Sequence, residues 1–137
     1  MPVDIKSYFD RCELTCEAVG EEIWHSAFAT ESDEQYDLFV MISDEWVHFG
    51  VSPFVSRPDA SSLLRVYTSL LRLNQEMRFA SFAVDSDGDI NLICEWPRAD
   101  FSFAQFARAV DLMTGYTQLL ASDVRRLLTD PDFELSL

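Results

Sequence analysis

QYDLFVMISDEWVHFGV, residues 35–51, holds two strands on which the reading of the fold turns. Gln35 to Ser43 and Glu45 to Val51 are rich in Val, Ile, Phe and Trp, residues that suit a pleated, half-buried surface. The polar run Ser43-Asp44-Glu45 between them is short enough for a tight antiparallel turn. Successive side chains of a strand point to opposite faces, so Tyr36, Leu38, Val40 and Ile42 oppose Phe39 and Met41, and Trp46 opposes Val47, Phe49 and Val51. Both faces are apolar, whereas a sheet with one wet face alternates apolar and polar residues more cleanly. The second face is therefore expected to be covered by a twin subunit or a bound partner, with Phe39, Met41, Trp46 and Phe49 as the partner-binding residues. The competing expectation is that the chain's last helix, or the loop around Pro53 and Phe54, wraps over it.

Working outward, Ile23 to Thr30 reads as a third strand, joined to Gln35–Ser43 through the polar stretch Glu31 to Glu34. Before it, Ile5, Tyr8, Phe9, Cys12, Cys16 and Val19 recur at spacings of three and four, which predicts a helix with Gly20 as its C-terminal cap. Downstream, Pro53 and Pro58 break the pattern. Asp59 offers a cap to a helix whose face carries Leu63, Val66, Tyr67, Leu70 and Leu71 and which ends near Asn74. Phe79 to Val84 and Ile90 to Trp96 flank Asp85-Ser86-Asp87-Gly88-Asp89, an Asp-Gly hairpin signal. Ser102 and Gln105 have capping-box spacing, and the stripe from Phe103 to Leu128 predicts a long closing helix, with Gly115 as a point of weakness inside it. The tail from Thr129, holding Pro131, reads as a loose extension. The predicted order is α-β-β-β-α-β-β-α: one α+β domain over residues 1–137, a five-stranded, mainly antiparallel sheet with helices packed on it.

Of 137 residues, 48% are hydrophobic and eleven are Phe, a composition that predicts a packed globule. Acidic side chains number 24 against 10 basic ones, a net charge of -14. Nucleic acids and anionic membrane surfaces are recognised through clustered Lys and Arg, and no such cluster occurs, so a protein partner is expected in preference to either. Three cysteines, Cys12, Cys16 and Cys94, do not form the framework of a secreted disulfide scaffold. Met1 to Asp10 lacks the basic start and apolar stretch of a signal peptide, and no segment approaches the ~18 apolar residues of a membrane span. A cytoplasmic location is expected.

The search for chemistry predicts no catalytic residue, no metal and no cofactor. Cys12 and Cys16 lie i, i+4, but a closed zinc site wants about four ligands and no others follow at a usual spacing. His25 and His48 fall in strands without a surrounding Cys-His or Ser-His-Asp pattern, so hydrogen-bonded structural roles are expected. Asp85, Asp87 and Asp89 invite comparison with a calcium loop. However, an EF-hand needs its glycine at loop position six and a Glu at twelve, whereas Gly88 arrives at four and Glu95 at eleven. Phosphate loops, nucleophile elbows and His-Glu-x-x-His pairs do not occur. A second functional expectation is a regulatory domain that binds a small apolar ligand beneath the last helix, where Phe103, Phe106 and Met113 face the sheet.

The stretch Leu70-Leu71-Arg72-Leu73-Asn74-Gln75-Glu76-Met77-Arg78-Phe79-Ala80-Ser81-Phe82-Ala83-Val84-Asp85 resembles the YbjN-like proteins, in which a helix ending Leu-Leu-x-x-Asn precedes a strand of Phe-Ala-x-Phe-Ala type. Asp87 to Glu95 is similar to that family's following turn and strand, and Phe101 to Leu120 to its closing helix. The family is related in fold to the class I chaperones of type III secretion. Those are small, acidic, cytoplasmic and usually dimeric, and hold an extended segment of a secreted protein along the sheet. The resemblance implies a chaperone-like, homodimeric binding module whose partner is a secreted or otherwise unstable protein, captured through an extended or amphipathic segment. It supplies no catalytic residues.

Overall fold

The structure, a computed structural model, describes residues 4–135. Its elements run α1 (Ile5–Arg11), β1 (Glu17–Gly20), β2 (Ile23–Ala29), β3 (Gln35–Ile42), β4 (Trp46–Val55), α2 (Leu63–Glu76), β5 (Ala80–Val84), β6 (Ile90–Pro97) and α3 (Phe103–Thr129). The strands form one sheet in the order β1-β2-β3-β4-β6-β5, with every neighbouring pair antiparallel. All three helices serve the same face. α3 packs on β4 and β6, α2 on β5, and α1 on α3.

The expected mixed α+β architecture stands, with six strands where five were expected. The extra strand comes from the predicted first helix. Asp4 caps α1 by accepting a hydrogen bond from the Ser7 amide at 3.1 Å, but the helix lasts only seven residues and Glu13 then adopts φ 60°. Glu17 and Ala18 pair with His25 and Trp24, so Gly20 stands in a strand beside a bulge and does not cap a helix. The spacing of Cys12, Cys16 and Val19 fits a helix, but Val19 ends up exposed and the hairpin supplies the chain's backbone bonds with longer-range partners. Ser62 stands at the start of α2 where Asp59 was expected. α3 passes through Gly115 without a break, because the buried stripe Met113, Thr117, Ala121 holds both sides and nothing packs at the glycine itself. The tail is not wholly loose: Phe133 and Leu135 pack against the core, while Ser136 and Leu137 lie outside the described residues.

The core follows from the pairing of β3 with β4. Val40 sits opposite Phe49 and Leu38 opposite Val51, which puts these four side chains on the helix-covered face. Phe49 is 1% exposed and its ring lies 5.6 Å from that of Phe106, which meets Phe9 edge-on at 5.0 Å. The expectation that Phe49 touches a partner is thereby corrected: it belongs to the core. The pocket expected beneath α3 is likewise filled, since Phe106 and Met113 are both completely buried. Arg125 ties the far end of α3 to the sheet, donating to the Tyr36 hydroxyl at 2.7 Å and to Glu34 Oε1 at 2.5 Å.

The face assignment predicts unequal costs for two neighbouring truncations. Phe49→Ala should cost about 3–5 kcal/mol in urea denaturation, as deletion of a buried ring does. Met41→Ala should cost under about 1 kcal/mol. Equal losses would show that the two residues share one environment.

Candidate functional site

The opposite sheet face is built from alternate residues of four adjacent strands. Ile23 of β2 pairs with Met41 of β3, and Met41 pairs in turn with His48 of β4. Phe39 pairs with Gly50, which pairs with Ile93 of β6. Among the described residues no helix covers this face, and Pro53 and Phe54, expected in a loop, stand instead at the end of β4, where Phe54 turns to the other side and packs edge-on against Phe82 at 5.0 Å. Met41 is 41% exposed and Trp46 is 43% exposed, while Ile23, Phe39 and Ile93 are half-buried. Ile23, Phe39, Met41 and Ile93 line a shallow depression of about 290 Å³, with Gly50 contributing only backbone to its floor. Phe39, Met41 and Trp46 thus share the open surface. Ile23 and Ile93 also belong to it, and only the strand register reveals them, because neither stands in the doubly apolar stretch.

Charged groups edge this apolar strip. His25 Nε2 lies 2.8 Å from Asp37 Oδ1, and its ring sits 5.1 Å from Phe39. His48 Nδ1 lies 2.6 Å from Glu95 Oε2, and its Nε2 lies 3.0 Å from the Ser43 hydroxyl. One proton on Nδ1 satisfies both bonds of His48: the ring donates to Glu95 and accepts from Ser43. The line Glu95-His48-Ser43 has the order of groups found in a nucleophilic triad. Its place in the molecule argues for a structural role. The Ser43 carbonyl accepts from Arg98 at 3.1 Å, so the group pins the β3–β4 turn to β6. Asp44, Glu45 and Glu95 would oppose the negative charge that acyl transfer develops. Asp37, Glu95 and Glu17, the last opposite His25, make the rim acidic.

The sheet's two edges differ. On β5, the Asn74 side chain accepts from the Phe82 amide at 2.7 Å and donates to the Phe82 carbonyl at 3.0 Å, so an amide from α2 takes the place of a neighbouring strand. That edge is closed at its centre. β1 forms the other edge, with four exposed residues and a bulge.

The remaining candidates resolve into structure. Asp85, Asp87 and Asp89 bring carboxylate oxygens within 4.8 Å of one another, but Asp85 Oδ1 already accepts from the Asp87 and Asp89 amides at 2.9 and 3.1 Å, closing its own hairpin turn. Cys94 is buried, and burial pushes its thiol up to about 12. Cys12 and Cys16 are half-buried and also raised, first by burial and then by Asp111 and Asp10 respectively. Because the thiolate is the reacting form, Cys94 should remain unmodified by iodoacetamide at pH 8 until the protein is denatured, while Cys12 and Cys16 react slowly in the native state. Mass mapping of the labelled thiols checks this. Native labelling of Cys94 would contradict its burial in the core.

The family model described as "YbjN: Putative bacterial sensory transduction regulator" matches residues 5–118. No curated protein matches the sequence closely enough to count as a relative. Among solved structures, the chain is similar to one in the heterodimeric complex ExoU–SpcU from the type III secretion system of Pseudomonas aeruginosa, with 17% identity, a TM-score of 0.60, and 93% of this chain and 99% of that chain covered. It is similar to a chain of the HopA1–SchA chaperone–effector complex, with 12% identity, a TM-score of 0.56, and coverage of 88% and 99%. It is also similar to a chain from the Yersinia pestis type III secretion chaperone SycH in complex with a fragment of YscM2, with 17% identity, a TM-score of 0.52, and coverage of 84% and 94%. At these identities the agreement is one of fold, the fold of type III secretion chaperones.

Proposed function

The chain belongs to the YbjN family, and we propose that it is a small, non-catalytic, chaperone-like module that captures an extended or amphipathic segment of a partner protein on its open sheet face. The observation that carries this reading is the uncovered strip containing Met41 and Trp46, each more than two-fifths exposed, beside Phe39. Apolar strips of this kind on a folded surface mark interaction sites. Affinity would come from the apolar anchors, and the acidic rim would select a segment whose flanks carry Lys or Arg. The closed β5 edge turns a partner away from strand addition there, which favours the face. The solved structures that share this fold include chaperone–effector complexes, in keeping with a protein as the ligand. A reducing cytoplasm suits three free cysteines.

The proposal includes a second copy of the chain, docked along α2 and β5. Leu71 is 69% exposed and Val84 is 48% exposed, around an apolar groove that also contains Tyr67 and Leu70. Residues 60–84 carry three arginines against one glutamate, while the whole chain is at -14, so two copies meet least repulsion here.

Photo-crosslinking from a benzophenone side chain at position 46 should trap a partner protein in host cells. Met41→Asp and Trp46→Asp should each cut the trapped yield at least tenfold, with crosslinking then read from position 39. Leu119→Asp, an exposed change on α3, should leave it intact. Equal trapping by all three variants would remove the open face from the case. Fluorophosphonate reagents should leave Ser43 unlabelled, and its modification would overturn the non-catalytic reading. Leu71→Asp should convert a dimer to a monomer in sedimentation, and an unchanged dimer would move the self-contact elsewhere.

A further inference from the structure

Gly50 stands in the middle of the open face, and neither the backbone nor the packing asks for a glycine there. Its φ lies outside the left-handed region, and a Cβ built on it would meet only the Leu92 carbonyl oxygen at 3.9 Å and Ile93 Cγ2 at 4.0 Å, both ordinary van der Waals contacts. A glycine inside a strand weakens it, because it has no side chain to pack and more backbone freedom to lose; it often marks a place where a ligand or another chain comes close. An aromatic ring from the facing strand can lie over such a glycine and make good the loss. Phe39, directly opposite, does not: none of its atoms comes within 4 Å of that Cβ, and its ring lies 5.1 Å from the His25 ring on β2, away from β4.

Gly50 is half-buried, so the gap opens to solvent. The register sets it between Phe39 and Ile93, with His48 and Ser52 at its two ends along β4, and the Ser52 hydroxyl donates to Asn91 Oδ1 at 3.0 Å. The result is a slot with apolar walls and polar ends, within a depression of about 290 Å³. Sites that enclose small-molecule ligands run to about 300–1,000 Å³, so a shallow slot of this size suits one side chain presented by a chain lying across the strands. Charge sets the flanks of that chain. Of the residues that the register puts on this face, Glu17, Asp37 and Glu95 are acidic and none is Lys or Arg. We infer that the Gly50 slot is the specificity pocket of the open face, taking one bulky apolar side chain from an extended segment whose neighbouring residues are Lys or Arg. This inference rests on the reading of the open face as the capture surface.

Amide chemical-shift titration of the full chain tests it, with a short peptide of alternating Lys and Thr around one central Leu, the same peptide with Ala at the centre, and a third with Glu in place of Lys. The Leu peptide should move the Phe39, Gly50 and Ile93 amides. The Ala peptide carries the same charge and should bind at least tenfold more weakly, since it leaves the slot unfilled; the Glu-flanked peptide should lose at least as much to repulsion. Gly50→Val should raise the melting temperature and bind the Leu and Ala peptides equally. Gly50→Ala, a smaller filling, should melt no lower than the native chain and reduce the preference for Leu. A lower melting temperature in both variants would assign the glycine to the packing of the sheet and overturn the inference. Failure of the Leu peptide to bind would also overturn it, as would a preference for Leu that survives Gly50→Val. Crosslinking from position 46 judges capture on the open face separately, so the slot can fail while that reading stands.

Discussion

The register between β3 and β4 is the constraint on which the rest of the structure depends. Val40 faces Phe49, so the helix-covered side receives Leu38, Val40, Phe49 and Val51; Phe39 faces Gly50 and Met41 faces His48, so the open side receives the remainder. A slip of one residue would exchange the two sets and place Phe49 and Val51 in water. The aromatic nest of Phe9, Phe49 and Phe106 rewards the observed alignment with edge-on and tilted ring contacts, and Phe106 anchors α3 over the centre of the sheet. The openness of the other face is thus a consequence of how well the first one is filled.

That openness is contained by polar groups placed around it. His25 and His48 sit among apolar neighbours on the open face, yet each is bound through one ring nitrogen to a carboxylate from an adjacent strand, and the second nitrogen of His48 meets the Ser43 hydroxyl. The acidic surface keeps copies of the chain apart over most approaches. Asn74 closes the β5 edge against unspecific strand pairing. An apolar sheet face can persist in water under such conditions without turning every encounter into aggregation.

Asn74 also gives physical content to the sequence resemblance. In Leu70-Leu71-Arg72-Leu73-Asn74 the second of the paired leucines is exposed on α2, the first is buried, and the asparagine two residues beyond Arg72 reaches across to both backbone groups of Phe82, the second phenylalanine of Phe-Ala-Ser-Phe-Ala. The first, Phe79, adopts φ 67°, an unfavourable backbone for a bulky residue, and stacks on Trp96 at 5.6 Å. The Tyr116 hydroxyl steadies that turn by accepting from the Arg78 amide at 2.8 Å. The motif is a helix-to-strand splice, and its residues are spent on holding α2 against β5.

Local pattern determined much of this protein: the strands at Gln35–Ile42 and Trp46–Val51, the Asp-Gly hairpin, the long closing helix with its Ser102–Gln105 start, and the surplus of apolar residues on both faces of the middle strands. These are legible because period-two and period-3.6 spacing and turn chemistry act within a few residues of one another. Tertiary structure alone decided that Glu17–Gly20 joins the sheet, that Phe49 lies inside while Trp46 lies outside, and that Ile23 and Ile93 complete the open strip. Each of those depends on which residue of a distant strand stands opposite, and pairing between strands is set by the fit of the whole core, which no local window contains.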